Sequence, residues 1–312
     1  MFDVVALGEL LIDFTYCGVS EGGNGLFEQN PGGAPANVLA ACAALGLKTA
    51  FIGKVGADMH GTFLQDTLLS KHIDVSNLIE DSDTFTTLAF VKLTDAERSF
   101  SFARKPGADT RLESSELDAS LLGRTKVFHF GSLSLTDEPA RSATLQAIRI
   151  ARDAGAFISY DPNYRASLWQ NEQTAVAQMR SVLPLIDLIK LSDEETALLS
   201  GESDPNKAAD VLLGCGVKCV VVTLGGEGAF AKTAKGHTKA PARDCVPVDT
   251  TGAGDCFLGS FLYSLLKSGE NVEQITPEVL GQWLAFANTS AALCIEKRGA
   301  ISSMPSLEDV LK

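Results

Sequence analysis

The stretch Asp249-Thr250-Thr251-Gly252-Ala253-Gly254-Asp255 runs into Cys256-Phe257-Leu258-Gly259-Ser260-Phe261-Leu262-Tyr263-Ser264-Leu265-Leu266. The second run is apolar enough to read as a buried helix, so the glycines stand just before a helix N-terminus. Unpaired backbone N–H groups and the positive end of the helix dipole converge there on an arriving anion. Gly252 and Gly254 carry no Cβ, which lets the backbone approach a phosphate closely. Asp255 adds a carboxylate beside that pocket. An oxyanion cradle at Gly252, Ala253 and Gly254 next to a base is what phosphoryl transfer to a hydroxyl requires. By itself, the stretch also reads as a glycine-rich turn with an Asp cap.

A second segment has the same form. Pro31-Gly32-Gly33-Ala34-Pro35-Ala36-Asn37 leads into Val38-Leu39-Ala40-Ala41-Cys42-Ala43-Ala44-Leu45-Gly46. Pro35 suits the first turn of a helix and Gly46 its end. The Asn37 amide can both donate and accept. Alone, this segment is also readable as a tight turn before a small-residue helix. Together the two segments match both signatures of the ribokinase-like (PfkB) family of carbohydrate kinases. The chain resembles that family from Gly8-Glu9-Leu10-Leu11-Ile12-Asp13 to Arg298-Gly299-Ala300. Within the family it is most similar to fructokinases. That likeness rests on Phe102-Ala103-Arg104-Lys105-Pro106-Gly107-Ala108-Asp109, Phe128-His129-Phe130-Gly131-Ser132, and Tyr160-Asp161-Pro162-Asn163-Tyr164-Arg165 with Leu168-Trp169.

Composition narrows the classes. The chain has 312 residues, 45% hydrophobic and 21% charged, enough for one large α/β domain. A net charge of −13 argues against non-specific nucleic-acid binding and against an anionic membrane surface. A site for polyanionic ATP must then be locally positive. No apolar run reaches the ~20 residues of a membrane helix. The first strand starts close to Met1, so no signal peptide is expected and a cytoplasmic location is. Seven cysteines form no C-x-x-C pair, and with four His a zinc site is not expected. Cys17, Cys42, Cys256 and Cys294 read as reduced core residues.

Apolar β-rich runs alternate with helical patterns, which predicts βαβ units and a largely parallel sheet. Strands are expected at 2–8, 49–55, 127–133, 157–161, 188–191 and 219–224, with an antiparallel edge at 228–232 and 238–240. Helices are expected at 61–72, 138–154, 172–182, 193–199, 206–213, 254–267 and 277–294. Thr87–Leu93 and Arg98–Arg104 flank Thr94-Asp95-Ala96-Glu97 and read as a β-hairpin, with Ile12–Gly18 able to pair with it. Gly22-Gly23-Asn24-Gly25 reads as a flexible turn. The pattern alone equally fits an ordinary surface hairpin. The resemblance implies a β-lid instead, built from segments 12–30 and 85–105 over the carboxyl ends of the main strands. The expectation is therefore a single ribokinase-like α/β domain over 1–312. It is a three-layer sandwich with a mostly parallel central sheet, helices on both faces and a small β-lid.

No G-x-x-x-x-G-K-[ST] occurs, which excludes a Walker-type loop, and Gly8-Glu9-Leu10 lacks the Rossmann spacing. The resemblance implies that Asp255 takes the proton from the accepting hydroxyl, while amides around Gly252, Ala253 and Gly254 hold the transferred group. The helix dipole is expected to keep Asp255 ionised. Asp13, Gly32, Gly33 and Asn37 fall on the family's sugar-hydroxyl positions, and Arg104 and Arg165 are fructokinase-like additions. Either Arg alone is as readily a surface salt bridge. Lys190, Ser192 and Glu195 occupy the family's N-x-x-E region, with Glu195 organising Mg2+ through water. Ser192 stands where many members have Asn. Thr223, Gly225 and Gly228 match a T-L-G-x-x-G loop beside the nucleotide. Asn288 falls at the adenine wall, or is a polar residue on a helix surface. Asp249 and Thr251, with carbonyls near Arg298-Gly299-Ala300, fall where some members bind a monovalent cation such as K+.

The expected activity is ATP-dependent phosphorylation of a sugar primary hydroxyl, fructose giving fructose 6-phosphate. Alternatives on the same scaffold are ribokinase and 2-keto-3-deoxygluconate kinase. From another class comes a catalytically silent sugar sensor, against which the retained Asp255 and its glycines argue. A nicotinamide dehydrogenase is disfavoured by the missing fingerprint. A homodimer formed through the lids is expected, because an apolar outer lid face leaves a strand edge needing cover.

Overall fold

The computed structural model describes the backbone of residues 1–94 and 97–312, and side chains outside 92–100. The hairpin tip at Asp95 and Ala96 lies outside the described residues. The chain opens with β1 (Phe2–Leu7), β2 (Leu11–Val19), β3 (Gly25–Gly32), α1 (Ala34–Ala44), β4 (Thr49–Gly56) and α2 (Met59–Ser70). Next come β5 (Ile73–Asp81), β6 (Leu88–Thr94), β7 (Glu97–Ala103) and the short α3 (Ala119–Leu122). Strands and helices then alternate: β8 (Thr125–Gly131), α4 (Ala140–Asp153), β9 (Phe157–Asp161), α5 (Glu172–Ser181) and β10 (Leu188–Ser192). Helices α6 (Asp193–Ser200) and α7 (Pro205–Gly214) lead to β11 (Cys219–Thr223) and the hairpin β12 (Ala229–Thr233), β13 (Gly236–Ala240). The chain closes with α8 (Ala253–Ser268), α9 (Pro277–Ile295) and α10 (Leu307–Val310).

Nine strands form one sheet in the order β13-β12-β11-β10-β9-β8-β1-β4-β5, parallel except at β12 and β13. The central strands are buried on both faces, which is why they read as unbroken apolar runs. Along β1, Val4 and Ala6 enter the core under α1, α2, α8 and α9, while Val5 and Leu7 enter the core under α4, α5 and α7. These are the two outer layers of a ribokinase-like three-layer sandwich. A second sheet, β3-β2-β6-β7, stands apart from it, with β2 parallel to β6 and β6–β7 the expected hairpin.

The fold departs from the sequence reading in four places. Strand β3 carries Gly, Asn and Pro and is mostly exposed, so it shows no apolar alternation; as an edge strand it tolerates Pro31. Strand β5, also an edge, mixes Asp, Ser and Asn with its apolar residues. The 127–133 run stops as a strand at Gly131, and Ser132–Leu135 turns into a 3-10 helix. Cys17 is exposed on β2 rather than in the core, whereas Cys42, Cys256 and Cys294 are buried and all are free.

One packing detail positions the site. A Cβ on Gly259 would come within 2.6 Å of Ala41 Cβ and 2.9 Å of the Val38 carbonyl oxygen. Only glycine lets α8 lie this close to α1. Gly259 is one turn after Asp255, and Ala41 one turn after Asn37, so the contact brings those two functional positions together.

Candidate active site

A pocket of about 520 Å³ opens at the carboxyl ends of the main strands, between them and the small sheet. Its wall holds Asp13, Gly33, Asn37, Arg165, Lys190, Ser192, Thr223, Asp249, Thr251 and the whole run Gly252–Asp255. Residues far apart in sequence therefore converge, as their patterns suggested.

Asp255 is in the first turn of α8 and is buried. Its Oδ2 accepts a hydrogen bond from Asn37 Nδ2 at 2.8 Å, and its Oδ1 one from Asn163 Nδ2 at 3.5 Å. Burial pushes its carboxyl up to about 6, with the Asp161 charge adding to the shift and Asn37, Lys190 and Arg165 opposing it. Desolvation is the largest of these influences. At neutral pH Asp255 is still mainly ionised, but as a stronger base than an exposed aspartate, which suits proton abstraction. Gly252 caps α8 with φ of 78° and no side-chain hydrogen bond, a backbone reserved for glycine.

Lys190 supplies buried positive charge. Its Nζ donates to Asp161 Oδ2 at 3.0 Å and would lie 2.8 Å from a Cβ on Gly254. Burial works against that charge, but Asp161 and Glu195 outweigh it and raise the ammonium's pKa. A fixed cation therefore backs the open amides of α8.

The sugar-side positions cluster around a second carboxylate. Asp13 lies at the pocket wall, its pKa pushed up to about 6 by burial, lowered by Arg165 and raised by Asp255 and Asp249. Gly32 makes room for it: a Cβ there would fall 2.3 Å from Asp13 Oδ2. Asn37 Oδ1 is buried without a partner, leaving an acceptor unused in the same wall. Arg165 is exposed at the pocket, its Nη1 donating to the Tyr164 carbonyl at 3.0 Å.

Other expected positions make contacts within the scaffold. Arg104 is buried and absent from the pocket wall. It pairs with Asp109 at 2.7 Å and donates to Thr136 Oγ1 and to the Leu133 carbonyl. Its guanidinium is engaged by the fold, which leaves a direct sugar contact a proposal to be tested. Glu195 closes a capping box on α6: Oε2 accepts from Ser192 N–H at 2.9 Å and Oε1 from Tyr164 N–H at 2.6 Å. It lies behind the wall, whereas Ser192 lies on it. Asn288 donates to the Ala240 and Pro241 carbonyls and ties α9 to the end of β13, away from the pocket. Gly225 and Gly228 form the β11–β12 turn beyond the wall, with φ of 56° and 95°. Asp249 folds its own loop, accepting from Thr251 N–H and Oγ1 and from Gly299 N–H. Among the described residues, no group of three or more His, Cys, Asp or Glu can cage a metal ion.

The sequence reading missed three residues. Asn163 holds Asp255 from a left-handed backbone with φ of 45°, signalled only by its place after Asp161-Pro162. Asp161 is the counter-charge of Lys190; opposite charges on adjacent buried strands were the available clue. Glu9 is a buried carboxyl in the pocket wall, in an otherwise apolar context at the end of the first strand.

Known proteins share this fold. The family model described as pfkB family carbohydrate kinase matches residues 1–307. The "Probable fructokinase-5" of Arabidopsis thaliana is 41% identical, the alignment covering 99% of this chain and 96% of that protein. A crystal structure of fructokinase with bound ATP from Xylella fastidiosa superposes with a TM-score of 0.92 at 31% identity, covering 100% and 98% of the two chains. A fructokinase from Vibrio cholerae O395, in fructose, ADP and calcium ion bound form, gives 0.86 at 31% identity, covering 99% and 98%. With its glycine-led helix end, its buried aspartate and a match along nearly its whole length, the chain belongs to the pfkB family of carbohydrate kinases.

Proposed function

We propose that this sugar kinase transfers the γ-phosphoryl group of ATP to the primary hydroxyl of fructose, giving fructose 6-phosphate. The observation that carries the reading is Asp255, buried beside the open amides of α8 and facing the Asp13–Asn37 wall. Asp13 and the free Asn37 Oδ1 accept hydrogen bonds from neighbouring sugar hydroxyls. Asp255 accepts the proton of the attacking hydroxyl as the O–P bond forms, and the bridging oxygen departs with ADP. Amides of Gly252, Ala253 and Gly254 meet the charge that grows on the transferring oxygens, with Lys190 behind them. Mg2+ bound to the phosphates would supply further charge neutralisation and would need few protein ligands; Glu195, its oxygens engaged by the Ser192 and Tyr164 amides, would act on it only through water. Asp249, Thr251 and the loop at Gly299 offer hard oxygen donors for a monovalent cation.

The small sheet acts as a lid. Its outer face stacks Phe14 on Phe90, with Phe27 edge-on to Phe90 and to Tyr16. Phe27 and Phe90 remain 44% and 37% exposed, an apolar patch suited to a second lid. That supports a homodimer, checked by sedimentation at micromolar concentration. No helix among the described residues is long and apolar enough to cross a membrane; a cytoplasmic location is part of the proposal.

Initial rates of ADP formation with fructose, ribose and 2-keto-3-deoxygluconate test the substrate. The expectation is a kcat/KM highest for fructose. A higher value for either of the others overturns the fructose reading and leaves the kinase standing.

A further inference from the structure

Glu9 stands where β1 turns towards β2, in the pocket wall and 3% exposed. Its Oε1 accepts the Ala34 N–H at 2.9 Å, while its Oε2 is buried with no hydrogen-bond partner. Ala34 opens α1, whose cap residue Gly33 has no side chain to offer. Glu9 therefore caps α1 from a different part of the fold. Gly33 is shaped to its presence: with φ of 115°, a Cβ there would meet the Glu9 carbonyl oxygen at 2.3 Å. One turn along, Asn37 N–H donates to the Gly33 carbonyl at 2.9 Å, and Asn37 Nδ2 donates to Asp255 Oδ2 at 2.8 Å. The contacts run without a gap from Glu9 to the first turn of α1, to Asn37, and to Asp255. A plain cap needs no charged group half unsatisfied in the interior; a serine or asparagine does that work at lower cost.

We infer that Glu9 is a positioning residue. Its carboxylate holds the first turn of α1 so that Asn37 meets Asp255, and that hold loosens when Glu9 takes up a proton. The inference rests on the reading of Asp255 as the base. An ionised carboxylate is the stronger acceptor and the favoured partner of a helix N-terminus. Burial pushes Glu9 up to about 7, against its own backbone amide and that of Ala34, which favour the charged form. The charged groups facing it are Arg104, which also favours ionisation, and Asp109, which opposes it; these two are paired with each other. Glu9 thus changes charge close to neutrality, one helical turn from Asn37, the partner of Asp255.

Two measurements test this on the full chain. The first is hydrogen exchange over residues 34–38 in unliganded protein, corrected for intrinsic rates. Wild type is expected to exchange about threefold more slowly at about pH 8 than at about pH 6, and Glu9→Gln equally at both. This arm needs no turnover, so it stands or falls independently of Asp255. The second is the pH profile of kcat. Glu9→Gln keeps an oxygen for Ala34 but cannot ionise. It is expected to lower kcat roughly tenfold at about pH 8, leave the KM for ATP unchanged, and remove a limb near pH 7 while keeping the Asp255 limb near 6. Glu9→Ala is expected to lose more, with Glu9→Gln restoring part of the difference. Wild-type exchange that does not vary with pH overturns the inference. So does a Glu9→Gln profile matching wild type, even with a lower melting temperature, because Glu9 is then a cap and nothing more.

Discussion

The N-termini of α1 and α8 lie against each other and are finished in opposite ways. Neither cap residue, Gly33 or Gly252, makes a side-chain hydrogen bond. At α1, Glu9 takes the Ala34 N–H, and Pro35 has none to offer. At α8, among the described residues, no acceptor meets the amides of Gly254 and Asp255. Among the described residues the α1 end keeps one unmatched amide, at Ala36, but the carboxylate fixed on it disfavours an anion and suits a neutral polyol. The open end, backed by Lys190, attracts a phosphate. On the proposed function, two similar glycine-led turns would thereby serve two different ligands. Asp255, on one helix and held by Asn37 of the other, marks where they meet.

The sharpest way to break this comparison is Asp255→Asn. The amide is nearly isosteric and keeps an oxygen for Asn37, but it cannot take the proton. Loss of kcat by ~10²–10⁴-fold is expected, with fructose binding retained by calorimetry. More than about a tenth of the wild-type rate removes Asp255 as the base.

A second pair of substitutions separates scaffold from ligand contact on the sugar side. Arg104→Ala strands the buried Asp109 and is expected to cost roughly 3–5 kcal/mol in urea unfolding. Arg165→Ala is expected to leave stability within about 0.5 kcal/mol. Its kcat/KM for fructose should fall by a factor equivalent to roughly 1.5–3 kcal/mol. A stable Arg104→Ala enzyme with a raised fructose KM returns Arg104 to the sugar.

The smallest effect concerns what the arrangement costs. Asp255 ordinarily titrates near 3.8 and in the fold near 6, so the folded state binds its proton more tightly than the unfolded chain. Its stabilising contribution is therefore full below about pH 4 and lost as pH rises through about 6. Asp255→Asn should accordingly be more stable than wild type at about pH 7.5, by roughly 1–3 kcal/mol, with the gain vanishing near pH 4. Equal urea midpoints at both pH values mean that the buried carboxylate carries no such strain.

The main sheet was legible because its strands are buried on both faces and written in Val, Ile and Leu, as in Cys219–Thr223. That Asp255, Asn37 and Asp13 share one pocket was legible because each stands in a motif tied to a helix or strand end. What failed to show is what depends on a partner distant in sequence. Arg104 matched a sugar-side position, and nothing in its pattern showed that Asp109, Thr136 and Leu133 close around it. Glu195 matched a metal-organising position, yet its two oxygens hold the Ser192 and Tyr164 amides. Asn163 and Glu9 belong to no periodic pattern, so only the fold shows what they touch. Strand β3 went unread because its polar, glycine-containing sequence is sheet only through its pairing with β2.

That strand has a mechanical consequence. Strand β3 ends at Gly32 and α1 begins at Ala34, so a single residue, Gly33, joins the small sheet to the helix that carries Asn37. The sheet cannot tilt as an independent flap: any swing of β3 is geared through one joint to the partner of Asp255. Changes far out on the sheet, at Phe27 for instance, should then be felt as altered turnover and not merely as altered affinity.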